Sequence, residues 1–252
     1  MSLLFSSYTL NSPRGPLELA NRIVVAPMCQ YSASNGEATD WHLMHWGNLL
    51  NSGAALFIIE ATGVTPQARI TPACLGLWDD RTEAALKDKL TRARKLAPAT
   101  PVFIQLAHAG RKASSATPWE GGQLLTVDQG GWETLAPSAI PQLEGERLPH
   151  ELSKAELKQL IEDFVVAAKR SERIGVDGIE LALNSLHVLR ARRALQALTQ
   201  QFQHLAIGAA ALASVLVEHH LVKSLAQNFG LVADVFVAAV ARAADDRHAF
   251  VG

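Results

Sequence analysis

Apolar positions in this chain alternate between two periods. Arg22–Met28 (RIVVAPM), Ala54–Ala61 (AALFIIEA), Pro101–Ala107 (PVFIQLA) and Val176–Leu181 (VDGIEL) are short, nearly continuous apolar runs. That is the pattern of parallel strands covered on both faces. Between them the spacing lengthens to that of helices. His42–Ser52 is helical in period and stops at Gly53, and a second helix runs over about Thr82–Leu96 until Ala97-Pro98 ends it. Ser153 and Glu156 form a capping-box pattern, behind which Leu157, Leu160, Ile161, Phe164, Val165 and Ala168 keep the period up to Gly175. Ahead of all this, short apolar segments flank Ser12-Pro13-Arg14-Gly15-Pro16 and predict a small hairpin. The stretch from His108 to His150 is long for a connection, and such loops usually serve a site or are disordered.

Alternating strands and helices imply parallel pairing through helical crossovers. Helix, glycine, apolar strand and glutamate recur at Gly53…Glu60 and Gly175…Glu180, a weak sign of a repeated unit. The predicted class is α/β, of the (β/α)8 TIM-barrel type. Residues 1–181 supply its N-terminal half, about four βα units. Residues 182–252 change character. They hold no proline, tryptophan, tyrosine or cysteine and are rich in alanine. Helices are predicted over Leu186–Leu205, Leu212–Phe229 and Leu231–Ala244, making a helical tail.

Composition narrows the classes. With 48% apolar residues among 252, the chain can bury a large core. A net charge of −1 gives no electrostatic footprint for nucleic acid or an anionic membrane surface. The two cysteines, Cys29 and Cys74, stand in unrelated contexts and define neither a disulfide framework nor a four-cysteine metal site. The N-terminus lacks the basic start and long apolar run of a signal peptide, and Leu205–Val217 is too short to span a bilayer. The expectation is a cytoplasmic protein.

In parallel barrels, chemistry gathers at the C-terminal ends of strands. Gln105 offers a donor and an acceptor at the end of an apolar strand, which suits the edge of a planar heterocycle or simply caps the strand. Pro27 and Ala61 offer backbone carbonyls and close approach, or ordinary packing. Cys29 can tune a redox cofactor or act as a small buried hydrophobe. Tyr31 can donate a proton or sit amphipathically at a rim. His42 and His45 share a helix face, but no third ligand follows at metal spacing, so no metal site is expected. His219-His220 and Arg111-Lys112 read as solvated charges.

Taken in order, Asn21-Arg22-Ile23-Val24-Val25-Ala26-Pro27-Met28-Cys29-Gln30-Tyr31, Asp40-Trp41-His42, Glu60-Ala61, Arg69-Ile70-Thr71-Pro72, Ile104-Gln105-Leu106-Ala107-His108-Ala109-Gly110-Arg111-Lys112 and Gly131-Trp132-Glu133-Thr134 resemble the Old Yellow Enzyme family. The cysteine in the first strand points to its thermophilic-like, xenobiotic-reductase-like branch. The resemblance covers about residues 3–181. It implies an FMN-containing barrel that takes hydride from NAD(P)H and delivers it to an activated alkene such as an enone. It further implies that Ala26, Pro27, Met28 and Cys29 line the flavin, that Ala61 contacts it by backbone, and that Gln105 reads its pyrimidine edge. Tyr31 would face the substrate. A homo-oligomer is compatible with the family.

The chain departs from the family pattern after Leu181. Where the family continues with H-x-A-H-G-Y, whose histidines hold the substrate carbonyl oxygen, this sequence reads Ala182-Leu183-Asn184-Ser185-Leu186-His187. The family's late arginine and phosphate loops have no counterpart. A second reading follows: a truncated or frame-disrupted, non-catalytic relative that acts, if at all, as an interaction protein.

Overall fold

The computed structural model describes residues 2–12, 15–182 and 211–212. A β-hairpin comes first, β1 (Tyr8–Ser12) against β2 (Gly15–Leu19), antiparallel and in the register Tyr8↔Leu19 to Ser12↔Gly15. The predicted hairpin is therefore present. Next come β3 (Val24–Val25), α1 (Asp40–Leu50), β4 (Leu56–Gly63), α2 (Asp80–Arg94) and β5 (Val102–Ala107). The long connection after β5 holds the short parallel pair β6 (Leu135–Ala136) and β7 (His150–Glu151), and then α3 (Lys154–Ile174) and β8 (Gly178–Ala182) follow. The main sheet has the order β3-β4-β5-β8-β9, all parallel, where β9 is Ala211–Leu212. Strand order follows chain order, as repeated βαβ units dictate.

Two expectations change. The first strand is only two residues long, because from Ala26 onward the chain leaves the ladder and runs out as a loop. Leu212, expected to open a helix, pairs with Ile179 as part of β9. A short apolar run cannot be told from a buried helix by periodicity. The other residues of the three predicted tail helices lie outside the described residues.

The helices begin where the sequence supplies caps. Asp79 Oδ1 accepts from Thr82 N at 2.9 Å to start α2. Ser153 and Glu156 cap α3 reciprocally, with Ser153 N donating to Glu156 Oε2 at 2.7 Å. Gly175, at φ +86°, ends α3 in the left-handed conformation that favours glycine. Glu83 on α2 accepts from Arg173 Nε and NH2 on α3, each at 2.7 Å, a bidentate pairing that fixes the two helices side by side.

The sheet has two different faces. Toward the helices, Phe57, Ile59, Ile104, Leu106, Ile179 and Leu181 pack with Trp46, Leu86, Leu90 and Phe164. On the other face Leu56, Ile58 and Phe103 pack with Leu19, and the hairpin residues Tyr8, Leu10 and Leu17 cover them. The hairpin thus plugs the N-terminal end of the concave side. Strand alternation then sends Glu60, Gln105 and Glu180, each two residues beyond this apolar layer, to the same side nearer the C-terminal ends. Among the described residues, no helix is long and apolar enough to cross a membrane.

Candidate active site

A bulge shapes the polar layer. Ile59 pairs with Ile104, but the next paired residues are Thr62 and Leu106, so Glu60 and Ala61 together stand opposite Gln105. Such an extra residue re-aims side chains next to it. No sequence signal marks it, since AALFIIEATG reads as one even run.

Glu60 is 3% exposed. Its Oε1 lies 3.1 Å from His42 Nε2, and its Oε2 accepts from Gln30 N in a short contact. His42 is itself committed: Thr39 N donates to its Nδ1 at 3.0 Å as part of the cap of α1. With Nδ1 accepting, the neutral ring carries its proton on Nε2, the nitrogen that lies beside Glu60. The first histidine of H-x-x-H is therefore an anchor for a carboxylate. Among the described residues, no group of three metal-binding side chains assembles. What Glu60 holds in turn is the loop after β3, through the backbone of Gln30.

On the next strands Gln105 and Glu180 are in register, and Gln105 Nε2 donates to Glu180 Oε1 at 2.6 Å. Glu180 Oε2 is buried without a hydrogen-bond partner. Burial, only partly offset by the Gln105 amide, pushes the Glu180 carboxyl up to about 7. Gln105 keeps its second amide hydrogen and its carbonyl oxygen uncommitted among the described residues. This layer thus presents an uncommitted amide edge and an unpaired carboxyl oxygen, a donor and acceptor set suited to a heterocycle edge with alternating C=O and N–H groups. The crevice between Ala26, Met28, Trp46 and Glu60 is filled, with no volume for a water. A separate cavity of about 250 Å³ lies beside α3, lined by Thr65, His108, Leu152, Gln159 and Asp163.

The residues picked out from the sequence fall in this neighbourhood. The Ala61 backbone N–H lies close enough to the Cys29 thiol to lower it, so the loop after β3 comes up to the end of β4 there. Gln105 faces the same bulge from β5. Pro27 is buried, Cys29 is half-buried, and Ala26 and Met28 are exposed, the apolar strip that leads up to Cys29. Tyr31 takes the left-handed conformation at φ +50°, unusual for a bulky residue and a sign of constraint. Trp119, from the long connection after β5, packs edge-on against the Tyr31 ring at 5.5 Å. That connection is ordered against the sheet rather than loose, for Trp132 Nε1 donates to Gln67 O at 3.0 Å and Arg69 stacks on Trp132. Burial, then the nearby Cys29, Cys74 and Glu60, push the Tyr31 phenol up to about 12, so it remains a donor at neutral pH.

Sequence reasoning missed three participants. Glu60 and Glu180 appeared only as the ends of a repeat. Cys74 appeared unrelated to Cys29, yet the two thiols lie near enough to perturb each other, raising Cys29 and lowering Cys74. A separation of 45 positions carries no local signal for that proximity.

Comparison with known proteins agrees with this geometry. Residues 13–185 match the model of the NADH:flavin oxidoreductase / NADH oxidase family. The chain is 44% identical over 165 residues to an NADH:flavin oxidoreductase of Gibberella zeae, an alignment covering 64% of this chain and 40% of that protein. It is 37% identical over 179 residues to an NADPH dehydrogenase of Clostridium acetobutylicum, covering 71% of this chain and 47% of that protein. Its fold resembles that of Old Yellow Enzyme from Pichia sp. AKU4542, with a TM-score of 0.65 at 23% identity over 83% of this chain and 58% of the other. The alignments with the two curated relatives span less than half of the relatives' length. Parallel strands that end in a shared polar layer, over the span where the family model matches, place this chain in the NADH:flavin oxidoreductase / NADH oxidase family.

Proposed function

We propose that residues 1–181 form the flavin-binding half of an FMN-dependent NAD(P)H oxidoreductase of the ene-reductase type. In this reading residues 182–252 form a distinct unit, and turnover is impaired because the donor pair of the family motif is replaced at Ala182–His187. The observation that carries the reading is the bulge that sets Glu60 and Ala61 opposite Gln105. When bound, FMN would supply hydride transfer between a nicotinamide and an activated alkene.

The chain's own residues then have distinct tasks. Gln105 and the unpaired oxygen of Glu180 bind the polar edge of the ring. Ala26, Pro27 and Met28 give it an apolar face, Ala61 approaches by backbone, and Cys29 lies against its reactive side. Tyr31, held protonated, hydrogen-bonds the carbonyl of a small enone-type substrate. Glu60, through Gln30, positions the Cys29 loop without touching the ring.

The test is titration of the purified chain with FMN, followed by anaerobic addition of NADPH or NADH. Binding and bleaching of the yellow colour are expected, with weak transfer to an enone. Gln105→Leu should weaken FMN binding by about tenfold, the loss of roughly one hydrogen bond. A chain that remains colourless at saturating FMN would sink this reading in favour of a non-catalytic relative, which the departure at Ala182–His187 favours on its own.

A further inference from the structure

The cavity of about 250 Å³ lies between α3, the ends of β4 and β5 and the long connection after β5. It is distinct from the candidate ring site. Leu135, Leu152 and Leu160, which give it an apolar wall, belong to the core between the sheet and its helices, whereas Glu60, Gln105 and Glu180 line the concave side. Glu156, Gln159, Leu160 and Asp163 recur at helical spacing, so a single face of α3 supplies apolar wall and carboxylates together.

The charges around this cavity do not balance. Glu156 is committed, for its Oε2 accepts from Ser153 N at 2.7 Å and its Oε1 lies 2.9 Å from His150 Nε2. Asp163 is not. Its Oδ1 accepts from the neutral amide of Gln159 at 3.0 Å, and among the described residues no cationic side chain pairs with it. No lysine or arginine is among the described residues that line the cavity. The basic group that does line it, His108, accepts from Gly110 N on Nδ1 at 3.1 Å, and burial pushes it down to about 4, so it brings no positive charge at neutral pH. Burial raises the Asp163 carboxyl, against the Gln159 amide, and the neighbouring Glu162 raises it further. Thr65 Oγ1, also at the cavity, is buried without a hydrogen-bond partner.

We propose that this cavity binds a small primary organic ammonium ion, its apolar body on Leu135, Leu152 and Leu160 and its N–H groups donating to Asp163, with Thr65 Oγ1 as a further acceptor. Such an ion brings the charge that Asp163 lacks and covers the leucine wall, whereas water at the polar end would leave that wall hydrated and the carboxylate uncompensated. A guanidinium would ask for both oxygens of Asp163, and Gln159 already holds one. Among the described residues no group of three metal-binding side chains assembles, so a bare metal ion finds no ligand set. The volume equals the share of roughly eight waters, which suits a body of roughly eight to ten non-hydrogen atoms. None of this depends on FMN.

The experiment titrates the full chain with benzylamine at neutral pH, by calorimetry and by saturation-transfer NMR, with benzyl alcohol as the uncharged counterpart. Saturable binding of one benzylamine is expected, with a Kd on the order of 1 mM or tighter. Benzyl alcohol should bind at least about tenfold more weakly, the loss of one charge-assisted hydrogen bond. Asp163→Asn should weaken benzylamine by about the same factor, and Thr65→Val by about threefold. The comparison of amine with alcohol uses the unmutated chain, so it decides the matter even if a variant fails to fold. No saturable binding of benzylamine at millimolar concentrations, equal binding of the alcohol, or undiminished binding to folded Asp163→Asn would each overturn the proposal. So would displacement of benzylamine by FMN, which would merge this cavity with the ring site. A chain that stays colourless with FMN yet binds benzylamine would leave this inference standing, so the two proposals fail separately.

Discussion

The ends of β4 and β8 follow one local pattern and arrive at opposite electrostatic solutions. In each, a left-handed glycine, Gly53 at φ +85° or Gly175 at φ +86°, precedes an apolar strand that ends in a carboxylate on the concave side. Glu60 is buried with the His42 ring 3.1 Å from one oxygen and the backbone N–H of Gln30 donating to the other. Glu180 is buried with one neutral amide and a bare second oxygen. A buried carboxyl with so little compensation is driven to take up a proton, as the raised Glu180 shows. The first glutamate serves the architecture of the site, and the second retains unsatisfied capacity, as a group awaiting a partner does.

The largest effect should come from breaking the compensated member. His42→Ala strips Glu60 of its neighbouring ring, removes the acceptor that caps α1 and leaves a cavity, at a cost of about 3–4 kcal/mol. Urea denaturation at neutral pH measures it, and a loss below about 1 kcal/mol would mean that the pairing is not a structural anchor.

Next is the pH response of Glu180. Folded, its carboxyl titrates at about 7, and unfolded near the ordinary glutamate value of 4.5. Between these values the folded chain binds more protons than the unfolded one, so stability falls as pH rises through the window. The fall should reach about 3 kcal/mol. Glu180→Gln abolishes this component and should be the more stable protein at about pH 8, with little difference at about pH 4.5. Denaturation midpoints of the two proteins across that range give the answer, and parallel pH profiles would refute the assignment.

The smallest effect tests what the two regions share. A Cβ at Gly53 or Gly175 meets no atom within 4 Å, so the cost of Gly53→Ala or Gly175→Ala is backbone strain alone. Each should lose about 1 kcal/mol, and nearly the same amount. A large difference in thermal unfolding between them would show that the repeated pattern does not extend to the turns.

Much of this fold was legible in advance because its signals are local. The Ser153–Glu156 cap, the run from Leu157 to Ala168 and the stop at Gly175 mark α3 to within a few residues, since capping and periodicity act over a single turn. The hairpin around residues 12–16 and the strands β4, β5 and β8 were equally plain. The strand at Ala211–Leu212 was not, because a two-residue strand is made by its neighbour β8 and not by its own pattern. For the candidate site, the motif residues Cys29, Ala61 and Gln105 stood out, while the role of His42 and the nearness of Cys74 did not.

By itself, the sequence determined the alternation of strand and helix, the caps that bound the helices, and the polar residues at strand ends. These depend on backbone propensity and burial within a few neighbouring positions. Only the tertiary structure decided which of those polar residues meet. The bulge at Glu60–Ala61, the placing of His42 beside Glu60 and the bare oxygen of Glu180 arise from strand register and loop packing between positions far apart in the chain. Charge compensation in a buried layer depends on distances of a few ångströms in space, and separation along the chain does not encode them.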